Sequence, residues 1–202
     1  QLVGLNSIGI GVVLAATHAL NGIFLLLICR SLARLRPGLA AVLVPGCLLG
    51  IVSPLLLSHL GSFFYGPVGS ACVLGAIWLA LAPSTPSRQV GAGVFIAAAV
   101  AIKLSNLVFA ISLSPMMLVP WKGVPLRDWL RDCAGFAFGG LLGLLLFQGY
   151  WSYKLYALTG NPLFPFFNGL FKSPLIPTES QAVGRFVPGN LAEFLAVPVD
   201  MA

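Results

Sequence analysis

The chain has 202 residues, 58% of them hydrophobic and 8% charged, with a formal net charge of +6. An average soluble domain carries about 25% charged residues, so this chain lacks the polar groups to cover a water-soluble globule. That composition excludes a soluble enzyme, a disordered chain and an ordinary nucleic-acid-binding domain, and it turns the basic charge into a question of membrane topology.

A transmembrane helix needs about 20 apolar residues. Residues 8–29 form a first span. Residues 38–58 form a second, interrupted by Pro45 and Pro54. Residues 67–82 are a short third span, with Pro67 suited to open a helix. Residues 90–119 are thirty mostly apolar residues with Lys103 near the middle. One continuous helix would bury that lysine in hydrocarbon, at about 2.5–3.5 kcal/mol. Two short helices, 90–102 and 106–119, place Lys103-Leu104-Ser105 at a turn instead. Residues 133–153 form another clear span, with Gly135, Gly139 and Gly143 on one face for close helix packing.

Charge placement favours the two-helix reading. Arg30, Arg34 and Arg36 follow the first span, Arg88 precedes the fourth, and Lys122, Arg127 and Arg131 precede the last. Cytoplasmic loops carry the excess of Lys and Arg. All three basic loops lie on one side only if the chain turns back at Lys103. The expectation is an all-α integral membrane fold with about six transmembrane helices and both ends outside. Residues 1–153 form the bundle, and residues 154–202 form an extracytoplasmic interfacial loop segment with short helices, one of them over 190–196. The N-terminus shows no basic n-region or cleavage site, and the chain reads as an excerpt of a longer polytopic protein.

The four cysteines, Cys29, Cys47, Cys72 and Cys133, lie in or beside apolar runs and form no C-x-x-C pair. They read as small buried hydrophobes. No metal-ligand spacing is present. His18 and Asn21 are i, i+3 neighbours in the first span and read as an interhelix hydrogen-bonding pair. His59 lies at an outer loop end. Lys103, Ser105 and Asn106 stand together at the outer turn. The lysine either binds a phosphate as a point charge or snorkels to the interface. The densest polar-aromatic stretch runs from Thr159 to Asn168 and continues through Lys172-Ser173-Pro174. Gly160 and Asn161 tolerate left-handed backbone, while Pro162 and Pro165 fix φ, so the loop is specified. Asn161 and Asn168 offer amide groups suited to sugar hydroxyls. The surrounding aromatics equally suit a membrane interface.

These residues resemble a known family. The segment from Tyr156 to Asn168, followed by Phe171-Lys172-Ser173-Pro174, is similar to the outer Y-x-x-T-G-N-P-x-F-P-F-x-N loop of the GT-C superfamily of membrane glycosyltransferases. Val100-Ala101-Ile102-Lys103-Leu104-Ser105 is similar to the end of the bacterial G-x-x-x-x-x-K-x-T stretch, with Ala97 at the Gly position and Ser105 at the Thr position. The resemblance spans roughly residues 8–175. It implies inverting transfer of a sugar from a polyprenyl-phosphate-linked donor at the outer face of a bacterial plasma membrane. Lys103 and Ser105 would contact the donor phosphate. Asn106, His59, Asn161, Asn168 and Lys172 would line the substrate cavity. The expected partners are membrane lipid and the lipid-linked sugar. Relatives use an acidic residue of an outer loop as base or metal partner. In relatives it usually lies in a first outer loop before the spans seen here, and the outer loop after the second span, where relatives often carry an Asp, reads Gly61 to Gly66 without an acid, so the catalytic residue is unassigned and any divalent metal belongs to the full-length protein. Two other readings fit a polytopic chain: a transporter or flippase-like bundle, and a non-catalytic membrane scaffold subunit.

Overall fold

The computed structural model describes residues 7–52, 66–81, 85–118, 125–176 and 190. All regular structure among them is helical. The chain divides into two compact units, Gln1–Gly149 and Tyr150–Ala202.

The first unit holds six α-helices among the described residues: α1 (Ser7–Leu35), α2 (Ala40–Ile51), α3 (Gly66–Leu81), α4 (Pro86–Ile102), α5 (Leu107–Leu118) and α6 (Leu126–Phe147). Among the described residues, two segments are long and apolar enough to cross a membrane, Gly11–Arg34 and Leu126–Phe147. At 1.5 Å per residue, the 29 residues of α1 extend about 43 Å. The other four helices have 12 to 17 residues, shorter than an upright span.

Several boundaries differ from the hydropathy pattern. Helix α1 runs on through Arg30 and Arg34 because nothing in that turn breaks it, and long basic side chains are good helix formers. Helix α2 ends at Ile51, and residues 53–58 of the expected second span lie outside the described residues. Helix α6 starts seven residues before the apolar run, immediately after Pro125. Its first turns are polar but self-supporting, since Arg131 reaches Asp128 at 3.2 Å and Asp132 at 3.7 Å. It stops at Phe147, before Gln148 and Gly149, so Tyr150 to Tyr153 belong to the next helix.

Contacts fix the direction of each helix. His18 of α1 meets Ile51 of α2, and Cys29 meets Cys47, so those two helices are antiparallel. Asn21 bonds the Pro67 carbonyl and Phe24 packs on Trp78, so α3 runs with α1. Gly69 faces Asn106 and Ile102 while Gly91 faces Leu79, so α4 opposes α3. Leu113 of α5 is buried in one cluster with Val73, Ala76, Ile96 and Ala99. A helix continuing straight past Lys103 would carry Leu113 far from Ile96, so the chain folds back there.

The closest crossing is between α4 and α6. A Cβ on Gly139 would collide with the backbone of Val90, and one on Gly93 with the backbone of Phe136 and Gly140. A Cβ on Gly143 would lie 2.7 Å from that of Ala97. The glycine face therefore serves backbone-to-backbone approach. Because Val90 pairs with Gly139 and Ala97 with Gly143, α4 and α6 run parallel. These directions gather Arg30, Arg34, Arg36, Arg88, Arg127 and Arg131 at one end of the helices. Lys103 lies at the other end, the single basic residue there among the described residues of this unit.

The second unit begins at the second residue of α7 (Gly149–Thr159), continues through turns over 162–167 and includes one helical turn, α8 (Asn168–Phe171). Residues 191–196, most of the expected terminal helix, lie outside the described residues.

Candidate functional site

Lys103 is held at a helix break. Its backbone is extended (φ −152°, ψ 120°), it caps α4, and it precedes a 3₁₀ turn, Leu104–Asn106. Its N–H donates to the Ala99 carbonyl at 3.2 Å, and its carbonyl accepts from Asn106 N–H at 2.9 Å. The Asn106 amide Nδ2 donates to the same Ala99 carbonyl at 2.8 Å. Two donors thus cover one of the orphan carbonyls at the end of α4. Asn106 fits there because Gly69 of α3 leaves the room, a Cβ on it falling 2.9 Å from Asn106 Nδ2. Lys103 and Ser105 are exposed, and no described residue bonds their side chains. The turn therefore presents an ammonium and a hydroxyl two residues apart, with Asn106 as the group that fixes the turn.

The loop after α7 uses its polar groups differently. Asn161 is completely buried. Its Oδ1 accepts from Leu163 N–H at 2.9 Å and its Nδ2 donates to the Phe166 carbonyl at 2.8 Å. Thr159 Oγ1 accepts from Asn161 N–H at 3.2 Å and donates to the Leu155 carbonyl at 2.8 Å. Asn168 is also buried. Its Oδ1 accepts from Ser173 N–H at 2.7 Å, and its Nδ2 donates to the carbonyls of Ile176 at 2.8 Å and Ser173 at 3.2 Å. Phe167 and Lys172, on either side of α8, both adopt the left-handed conformation, with φ of 55° and 53°. Both carboxamides are spent on folding the loop, and Lys172 is its outward cation.

Lys103, Ser105 and Asn106 come together on one turn of the first unit. Asn161, Asn168 and Lys172 come together in one loop of the second unit. His59 lies outside the described residues. Among the described residues, no three His, Cys, Asp or Glu side chains converge as a metal-ligand group.

Within α1, His18 Nε2 lies 3.1 Å from the Ile51 carbonyl. A carbonyl only accepts, so that nitrogen carries the proton. Asn21 Nδ2 donates to the Pro67 carbonyl at 2.9 Å. The pair ties α1 to the C-terminal end of α2 and the N-terminal end of α3, the interhelix role its spacing suggests. Three features escaped sequence reasoning: the Asn106–Gly69 contact, the Thr159 bracket around Asn161, and the approach of Cys29 Sγ to Cys47 Sγ at 2.9 Å. The second has a local signal, Thr at a helix end next to Gly, whereas the first joins residues 69 and 106, far apart in the chain. The third has none, because eighteen positions separate the two thiols.

No family model, curated protein or solved structure matches the chain.

Proposed function

We propose that the chain is part of a six-span membrane glycosyltransferase of the GT-C kind, with the arginine end in the cytoplasm and the Lys103 turn at the outer face. The observation that carries this reading is the segregation of charge. Among the described residues of the first unit, six arginines stand at one end of the helices, and one exposed lysine stands at the other on a built helix break. Positive charge concentrates on the cytoplasmic side. An isolated cation on the opposite side is unexplained by topology and suits an anionic ligand at the membrane surface.

In this reading Lys103 contacts the phosphate of a polyprenyl-phosphate-linked sugar, and Ser105 adds a hydrogen bond. Sugar transfer leaves extra negative charge on the departing phosphate. A fixed cation beside it stabilises that charge in the transition state. Asn106 keeps the turn in place. The carboxylate that takes the acceptor's proton is unassigned.

The test is sugar transfer by the full-length protein in membranes. Lys103→Ala should lower the rate at least about tenfold, equivalent to roughly 1.4 kcal/mol. Lys103→Arg should retain part of it, since charge is kept and geometry altered. Full activity in Lys103→Ala would remove the lysine from the site.

A further inference from the structure

The loop over residues 161–176 is rigid inside and apolar outside. Its two buried asparagines satisfy the loop's own backbone, so few polar side chains remain to face outward. Phe166, Phe167, Leu170 and Leu175 are 54–75% exposed. Lys172 stands among them, also exposed. Left-handed backbone at a non-glycine residue carries a conformational cost, yet it occurs at both Phe167 and Lys172. The packing around Asn168 maintains these two corners, and they present a bulky apolar side chain at one and a cation at the other.

We infer that this loop docks on the lipid surface, with Phe166, Phe167, Leu170 and Leu175 in the boundary between headgroups and acyl chains and Lys172 on an anionic phosphate headgroup. Two observations select lipid over a protein partner. Between Tyr150 and Ile176 the chain holds Lys154 and Lys172 and no acid, the charge complement of an anionic leaflet. The preceding helix, α7, exposes Tyr150, Trp151, Tyr153 and Tyr156, the amphipathic aromatics that settle at headgroup depth. Lys154 lies 5.8 Å from the Tyr150 ring centroid, so this cation also sits on an aromatic face.

The experiment uses the full chain in vesicles of phosphatidylcholine mixed with phosphatidylglycerol. Phe167 is replaced by p-benzoylphenylalanine, a photoreactive residue of similar shape. Irradiation should yield lipid adducts, enriched in phosphatidylglycerol over its share of the bilayer. Lys172→Gln should cut that enrichment about fivefold, the equivalent of ~1 kcal/mol per basic residue near an anionic surface. The same probe at Leu175 guards against misfolding at a single position. Crosslinks to this chain or to a second copy would overturn the inference, because the apolar face would then be covered by protein. The absence of any adduct at both positions would overturn it as well, because the face would then meet water. Lipid adducts with no headgroup preference would overturn the Lys172 contact.

Discussion

The Lys103 turn and the 161–176 loop contain the same kinds of side chain, a lysine, a serine and asparagine, and use them in opposite ways. At the turn, one asparagine closes the backbone and leaves Lys103 and Ser105 free. In the loop, two asparagines and Thr159 are consumed internally, Ser173 is buried, and most outward side chains are apolar. Polarity in a sequence therefore does not locate a polar surface. A buried carboxamide that bonds two or three backbone groups is a structural element. An exposed cation at a helix break is available to a ligand.

The largest expected effect tests which side the turn faces. In the proposed topology, position 123 lies on the cytoplasmic side and Lys103 on the other. A cysteine at position 123 should resist impermeant maleimide in intact cells and react fully once the membrane is opened. A cysteine in place of Lys103 should show the reverse. Matching behaviour at both positions would break the comparison, because the lone cation would then share a face with the arginines.

Next in size is the loop's internal network. Asn161→Ala removes the partners of Leu163 N–H and the Phe166 carbonyl and leaves a buried gap. The loss should be roughly 2–4 kcal/mol of local stability, given 1–3 kcal/mol for each buried group left unpaired. Amide exchange over residues 161–166 should accelerate accordingly, with little change in α4 or α6. Unchanged exchange would mean that the asparagine is not what holds the loop. The Lys103→Ala effect on transfer, about 1.4 kcal/mol for the expected tenfold loss, ranks below this in energy. It differs in kind, because exchange at the turn should remain as in the parent chain.

How much of this could be read in the sequence follows from the range of each interaction. The break at Lys103 was legible because a charge in an apolar run carries a local cost. The N-terminus of α4 lies at Pro86, before the expected start at residue 90, where Thr85 Oγ1 accepts from Arg88 N–H at 3.4 Å. The spacing of Gly135, Gly139 and Gly143 announced a close helix crossing but not its partner. Gly93 on α4 and the parallel direction of α4 and α6 emerge only in three dimensions. The amide groups of Asn161 and Asn168 suggested sugar recognition because composition shows only which groups exist. Their partners lie two to eight residues away along a chain with two left-handed corners, which no periodicity predicts. The early start of α6 was hidden for another reason: its first turns are polar, and hydropathy marks the apolar run alone.

The smallest effect concerns Asn106, the one residue of the turn used like those of the loop. Asn106→Ala removes the Nδ2 bond to the Ala99 carbonyl, which keeps its second donor, the Lys103 N–H. No acceptor is orphaned, so the cost should be near a single net hydrogen bond, about 1 kcal/mol. The gap beside Gly69 can also be narrowed by substitution, because a Cβ there would lie 2.9 Å from Asn106 Nδ2 and has room once that amide is gone. Gly69→Ala alone should therefore destabilise the parent chain, and in the Asn106→Ala background it should cost much less. A double-mutant cycle on thermal unfolding reads this coupling directly. Additive effects would mean that Asn106 does not rest on α3, and that the position of Lys103 is set by α4 and α5 alone.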